Sequence, residues 1–315
     1  MENEKNFVEI EKIETNNLLE KNPIVPKHGG ECVVQVDTDS NYCCFEDYRE
    51  YFPDIDDVQF FYHLETQMNN FWAKILDIKA RKNKMPQLII FNRENMFTHF
   101  FSFAKKMYMG DVVDSEGDQH WGKPKQKIQG IVLKRTEIPD FCKDKATDLC
   151  FSIMRGMSKE DAEKYIIDSY EEFKKQPIEM ISANRGVHEY DAYAEKLEYL
   201  LKNGLNYKTG TPFNVKCAVN WNYICTKENM AFEPLQNNSK FKYIYVLPNN
   251  KYKVEAIGYT GKWPDKFNEI FEIDYETCFR KFFLPCPDDM FNGLKWKTEK
   301  ELIPIKKNKF KKFFC

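Results

Sequence analysis

The chain has 315 residues; 42% are apolar, 15% aromatic and 30% charged, with a formal net charge of −2. That content supplies a core, argues against wholesale disorder and allows two domains of ordinary size. Mean hydropathy is −0.64; no apolar run approaches the ~18 residues of a membrane helix, and the acidic start MENEKNFVEI lacks the basic-then-apolar order of a secretory leader.

The small net charge hides a pattern. Residues 1–57 hold fifteen Asp/Glu and five Lys/Arg, whereas residues 74–108 hold eight Lys/Arg and two acids. Residues 119–136 add five Lys/Arg without an acid, and residues 295–315 add eight Lys against two Glu. An acidic front with separate basic stretches suits a protein that holds metal in one place and a polyanion in another. The ten cysteines include no C-x-x-C pair, so no zinc spacing is present; they read as reduced, buried thiols.

Residues 1–30 form an acidic lead. FVEIEKI (7–13) alternates like a strand, and PIVPKHGG (23–30) is turn chemistry. ECVVQV (31–36) and NYCCF (41–45) read as two strands joined by the polar connector Asp37-Thr38-Asp39-Ser40. Residues 56–83 carry apolar side chains at near-helical spacing (Val58, Phe61, Leu64, Met68, Phe71, Ile75, Ile78), with Asp56 or Asp57 as the cap and Pro86 as the stop. QLIIF (87–91), THFFSFAKKMYMG (98–110) and KQKIQGIVLK (125–134) are strand-like.

After Pro139 the pattern turns helical. One helix starts at Pro139 and ends at Gly156; Ser158 with Asp161 opens a second; residues 189–204 make a third, closed by Gly204. KYIYVLP and KYKVEAIGY are short strands, residues 273–283 a helix, and KKNKFKKFFC a basic-aromatic tail. The domain boundary is expected near 138.

Asp37 and Asp39 at a strand tip are the sharpest chemical feature. Residues two apart in extended backbone share a face, so both carboxylates can point into one site. Mg²⁺ takes carboxylate oxygens and completes its shell with water and phosphate, and two such ions ~3.5–4 Å apart stabilise attacking and leaving oxygens in phosphoryl transfer. On its own D-x-D also fits a solvated acidic turn, or a sugar transferase holding a metal-bound nucleotide. A transferase needs a nucleotide-binding domain ahead of the motif, and only thirty-six residues precede Asp37.

VVQVDTDSNY resembles the third polymerase motif, Y-G-D-T-D-S, of B-family DNA polymerases. Lys105-Lys106-Met107-Tyr108 resembles their K-K-x-Y element, and KPKQKIQGIVLKRTEIPDFCK resembles the strand leading into the thumb of replicative polymerases of large tailed bacteriophages. TPFNVKCAVNWNYI, YIYVLPNNKY and IDYETCFRKFFLPCPDDMFNGLKWK resemble thumb segments of that subgroup, so the resemblance covers roughly residues 31–315.

The resemblance implies an α+β fold. Residues 31–138 would be a partial palm of antiparallel strands with a long helix, residues 139–300 a mostly helical thumb, and residues 301–315 a clamp-binding tail. It implies template-directed deoxynucleotidyl transfer with two Mg²⁺ ions, in phage DNA replication within the bacterial cytoplasm. Asp39 would ligate both ions, with Asp37 beside it, Thr38 and Ser40 shaping the turn, and Glu94 of the Arg93-Glu94 pair as an auxiliary carboxylate. Lys105, Lys106 and Tyr108 would contact the primer, and Lys125, Lys127, Lys134 and Arg135 backbone phosphates, which position a duplex without reading its sequence. Phe310, Phe313 and Phe314 would fill an apolar pocket of a sliding clamp.

Gln35-Val36 replaces the usual Tyr-Gly, and Met107 replaces a usual Arg. The motif resembling D-x-x-S-L-Y-P-S, the finger pattern K-x-x-x-N-S-x-Y-G and an exonuclease D-x-E in context are all missing. A split polymerase, with exonuclease, fingers and first palm half on a partner chain, fits this; so does a truncated gene product. A non-catalytic subunit that binds DNA and clamp is the second reading.

Overall fold

The computed structural model describes residues 33–36 and 40–296. They combine helices with antiparallel sheets, compatible with an α+β class. The chain divides into two compact units, at Lys127 and Ile128. The expected boundary near 138 falls just ahead of the first helix of the second unit, which begins at Asp140.

In the first unit, β1 (Val33–Val36) pairs antiparallel with β2 (Asn41–Cys43). A 3-10 turn (Glu46–Tyr51) leads to α1 (Asp57–Lys82). Of the two expected candidates, Asp56 caps that helix: its carboxylate accepts from the Gln59 N–H at 2.7 Å, and Gln59 reaches back to the Asp56 N–H, satisfying two donors that the first turn leaves open. Phe60 and Leu64 bury one face against Tyr48, with Phe45, Phe52, Ile55 and Phe61 around them. The helix stops at Lys82, ahead of Pro86, where Asn83 caps it and Lys84 turns left-handed (φ 51).

β3 (Asn95–Ala104) and β4 (Met107–Ser115) form a long antiparallel hairpin. Ala104 pairs with Met107, so Lys105 and Lys106 lie at the turn between the strands, and Lys106 takes the left-handed conformation (φ 64). The stretch 98–110 is therefore two strands rather than one. β4 is buried from Tyr108 to Asp114. Gly110 allows the close approach: a Cβ there would lie 2.5 Å from the Phe97 ring and 2.8 Å from the His99 carbonyl. β5 (Asp118–Gln119) and β6 (Lys125–Gln129) also pair with β4. The expected strand 125–134 ends early because Gly130 turns left-handed (φ 68), after which residues 132–134 form a 3-10 turn.

The second unit contains α2 (Asp140–Met154), α3 (Lys159–Phe173), α4 (Ile178–Ile181), β7 (Ala183–Gly186), α5 (Tyr190–Tyr193), α6 (Leu197–Asn203) and α7 (Phe213–Lys227). β8 (Lys240–Tyr245), β9 (Ala256–Tyr259), α8 (Phe267–Ile270), α9 (Tyr275–Phe282) and α10 (Pro285–Gly293) complete it. The strands form an antiparallel sheet in the order β7-β8-β9. α7 is buried continuously from Cys217 to Cys225 and is accordingly central to its unit. It lies so close to β9 that a Cβ on Gly258 would stand 3.1 Å from the Cys217 carbonyl and 2.8 Å from the Phe241 ring. Its two buried amides are satisfied: Asn222 exchanges hydrogen bonds with the Leu235 backbone at 2.8 Å each way, and Asn220 donates to the Ala256 carbonyl at 2.8 Å.

Ser158 caps α3, accepting from the Asp161 N–H at 3.1 Å as expected. The expected single helix 189–204 is two short ones. Glu189 is left-handed (φ 57), and Lys208 donates to the Ala192 and Ala194 carbonyls at 3.3 Å each, claiming acceptors that a continuing helix would use. Among the described residues the expected strand 87–91 pairs with no other segment and belongs to no element.

Candidate metal and nucleic-acid site

Asp37, Thr38 and Asp39 lie outside the described residues, as do the lead and the tail with Phe310, Phe313 and Phe314. The structure does fix what flanks the connector. Val36 pairs with Asn41 and Gln35 with Tyr42, so residues 37–40, ending at the half-buried Ser40, link paired strand ends.

Tyr42 ties that hairpin to the β3–β4 sheet. Its ring stacks on Phe100 at 5.4 Å and meets Tyr108 at 5.2 Å, while Tyr108 also contacts Phe100 and Phe97 at 5.3 and 6.3 Å. Burial, then a hydrogen bond with Tyr108, pushes the Tyr42 hydroxyl well above the usual phenol range. The charges of Lys127 and Glu94 act on the same hydroxyl with opposite sign. The residues flanking the D-T-D-S connector thus meet the Tyr of the K-K-x-Y element, with Glu94 and Lys127 nearby.

Tyr108, expected to meet a primer, is 5% exposed, its ring packed among Tyr42, Phe97 and Phe100. Lys105 and Lys106 are exposed at the hairpin turn. Glu94 is exposed, with Asn95 Nδ2 at 3.1 Å and Lys127 Nζ at 3.4 Å. Lys125 reaches Asp118 at 3.0 Å. Lys134 and Arg135 are exposed and belong to the second unit.

The Arg93-Glu94 pair divides its labour. Glu94 faces outward, whereas Arg93 turns inward to Glu65 (3.1 Å) and Asp114. Asp114 is fully buried on β4; it accepts from Tyr62 Oη at 2.6 Å and from the Gly117 N–H at 2.8 Å as well as from Arg93. Burial opposes its charge, but the hydrogen bonds from Tyr62, Gly117 and Arg93 outweigh it and hold the carboxyl below the ordinary range. Sequence reasoning missed this network. Its signal was the pair Tyr62 and Glu65, three apart on one helix face, facing an acidic residue in an otherwise apolar strand.

Among the described residues, no three His, Cys, Asp or Glu side chains gather into a metal-holding group. Glu94 is the one carboxylate of the expected metal set that is described, and its open position beside Tyr42 is compatible with an auxiliary role. No protein-family model matches the chain, and no curated protein matches it.

Proposed function

We propose that this chain is the C-terminal part of a template-directed DNA polymerase, a palm half and a thumb that act with a companion polypeptide. The observation that supports the reading is the Tyr42–Tyr108 contact, 5.2 Å between rings, because it brings a residue that flanks the D-T-D-S connector onto the Tyr of the K-K-x-Y element. In this reading Asp39 and Asp37 hold Mg²⁺ together with an Asp of the companion, and Glu94 assists. The metals supply Lewis-acid stabilisation of the attacking and leaving oxygens. The protein's own work is to position the primer terminus, with Lys105 and Lys106 near it and Lys125, Lys127, Lys134 and Arg135 along the duplex backbone.

The small described core of the first unit is compatible with a companion. Among the described residues the first unit buries eight apolar side chains, from Tyr48 to Val113, whereas the second buries forty-four. A module with so small a core gains most from a further layer.

The test is primer extension by the reconstituted pair with Asp39→Ala. Loss of synthesis with duplex binding retained supports the reading. Unchanged synthesis rejects it in favour of a non-catalytic subunit that binds DNA and clamp.

A further inference from the structure

Cys150 on α2 and Cys286 on α10 lie 136 residues apart in sequence, yet their sulfur atoms stand 3.7 Å apart. The two helices pack against each other within the second unit, and the two cysteines are 0% and 3% exposed. Both thiols are thus sealed between helices. Proline brackets Cys286: Pro285 opens α10 and Pro287 follows, so the backbone on either side of the cysteine has a fixed φ and little freedom. Cys278 on α9, also fully buried, is engaged elsewhere, its thiol donating to the Tyr245 carbonyl at 3.8 Å. A disulfide needs sulfurs that can close to about 2.05 Å without moving the backbone apart or together. Sulfurs already in contact leave that closure to rotation of two side chains.

From this contact we infer that Cys150 and Cys286 form a redox-sensitive staple. They are thiols at rest; oxidation by a small-molecule disulfide joins them in a reversible bond that fastens α10, the last described helix, to α2, the first α-helix of the unit. Cys286, at the start of its helix, gives its proton to solvent, and its sulfur attacks the small disulfide, breaking that S–S bond and releasing one thiol. Cys150, deprotonated in turn, attacks the Cys286 sulfur and releases the second thiol. Two protein thiols are oxidised to one disulfide, and the small disulfide is reduced to two thiols. The hydrogen bond with Cys286, then burial, holds the Cys150 thiol well above the usual range, and thiolate is the attacking species. Exchange therefore waits on local opening of the nine-residue α10. The staple does not rest on the polymerase reading.

The test uses the full chain, reduced and then freed of reductant, incubated with oxidised glutathione in buffer and in urea below the unfolding transition. Free thiols are then blocked with N-ethylmaleimide and the peptides mapped by mass. The expected product, formed below the transition, joins the Cys150 and Cys286 peptides, is lighter by two hydrogens and reverts with dithiothreitol. The oxidised chain should unfold at a urea midpoint higher by roughly 1 M or more, because the bond closes a long loop in the unfolded chain. In Cys150→Ala, and in Cys286→Ala should the first variant not fold, the oxidant should not raise the midpoint. The peptide map of the parent chain needs neither variant. No Cys150–Cys286 peptide once the exposed Cys44 carries glutathione overturns the inference. So does a different bridge in its place, such as Cys142–Cys278, or a bridge that forms only above the unfolding midpoint. A midpoint that the bridge leaves unchanged or lowers overturns it as well.

Discussion

Tyr62 Oη donates to Asp114 Oδ2 at 2.6 Å across 52 residues of sequence. That bond, with Arg93 beside it, fastens α1 to the most buried strand of the first unit. A buried carboxylate is favourable only while its partners remain, because the lone charge left behind is costly.

Removing one partner should therefore be severe. Asp114→Ala leaves Arg93 facing only Glu65 and should cost on the order of 3–5 kcal/mol, read as a lower urea midpoint. Tyr62→Phe removes one hydrogen bond to a charged group and should cost roughly 1.5–3 kcal/mol. A midpoint unchanged by Asp114→Ala would show that the network adds no stability.

The same carboxylate gives a pH dependence. The folded-state value of Asp114 is depressed, so its contribution is present above the ordinary carboxylate range and is lost as pH falls through the depressed value. Glu228 behaves alike in the second unit. Hydrogen bonds from Lys251, Tyr252 and Lys266 pull it from 4.5 to about 2, so its stabilisation is complete above 4.5 and fades towards pH 2. Discounted for solvent screening of the lysines, its worth is on the order of 1 kcal/mol at neutral pH. Glu228→Gln should lower the melting temperature at pH 7 and converge with the parent near pH 2; equal differences at both pH values would contradict this.

Two glycines test close backbone approach. Gly110→Ala and Gly258→Ala each place a methyl within 2.8 Å or less of neighbouring atoms, including the His99 carbonyl for the first. Each should cost roughly 1–3 kcal/mol as overpacking. Thermal unfolding reads both, and a neutral Gly110→Ala would mean that β3 gives way freely.

Tyr108 separates packing from chemistry. Tyr108→Ala removes a buried ring that meets Tyr42, Phe97 and Phe100, and should cost about 3–5 kcal/mol. Tyr108→Phe keeps the ring and should cost under ~1.5 kcal/mol. Circular dichroism melts distinguish the two, and an Ala variant as stable as the Phe variant would refute the packing role.

Local rules were legible where the deciding groups are neighbours in sequence. Asp56 or Asp57, and Ser158 with Asp161, announce helix starts, and the caps form at Asp56 and Ser158. The pairing of 33–36 with 41–43 around a polar connector was legible for the same reason. Readings failed where distant groups decide. Lys105-Lys106 lacks the Gly or Asn of an ordinary hairpin turn, so nothing local separated β3 from β4. Lys208 interrupts the helix begun at Tyr190 from outside it. QLIIF has the composition of a strand but pairs with nothing described. Of the candidate site, the approach of Tyr42 to Tyr108 and the inward turn of Arg93 required the fold.

The central claim is that this chain completes a polymerase active centre. The most direct measurement is single-nucleotide incorporation on a labelled primer–template by the chain together with the companion polypeptide carrying the two missing motifs. The account predicts addition of one nucleotide only when the deoxynucleotide complements the template, only with Mg²⁺, and only when both polypeptides are present. No addition by the pair, or addition regardless of template, would contradict it.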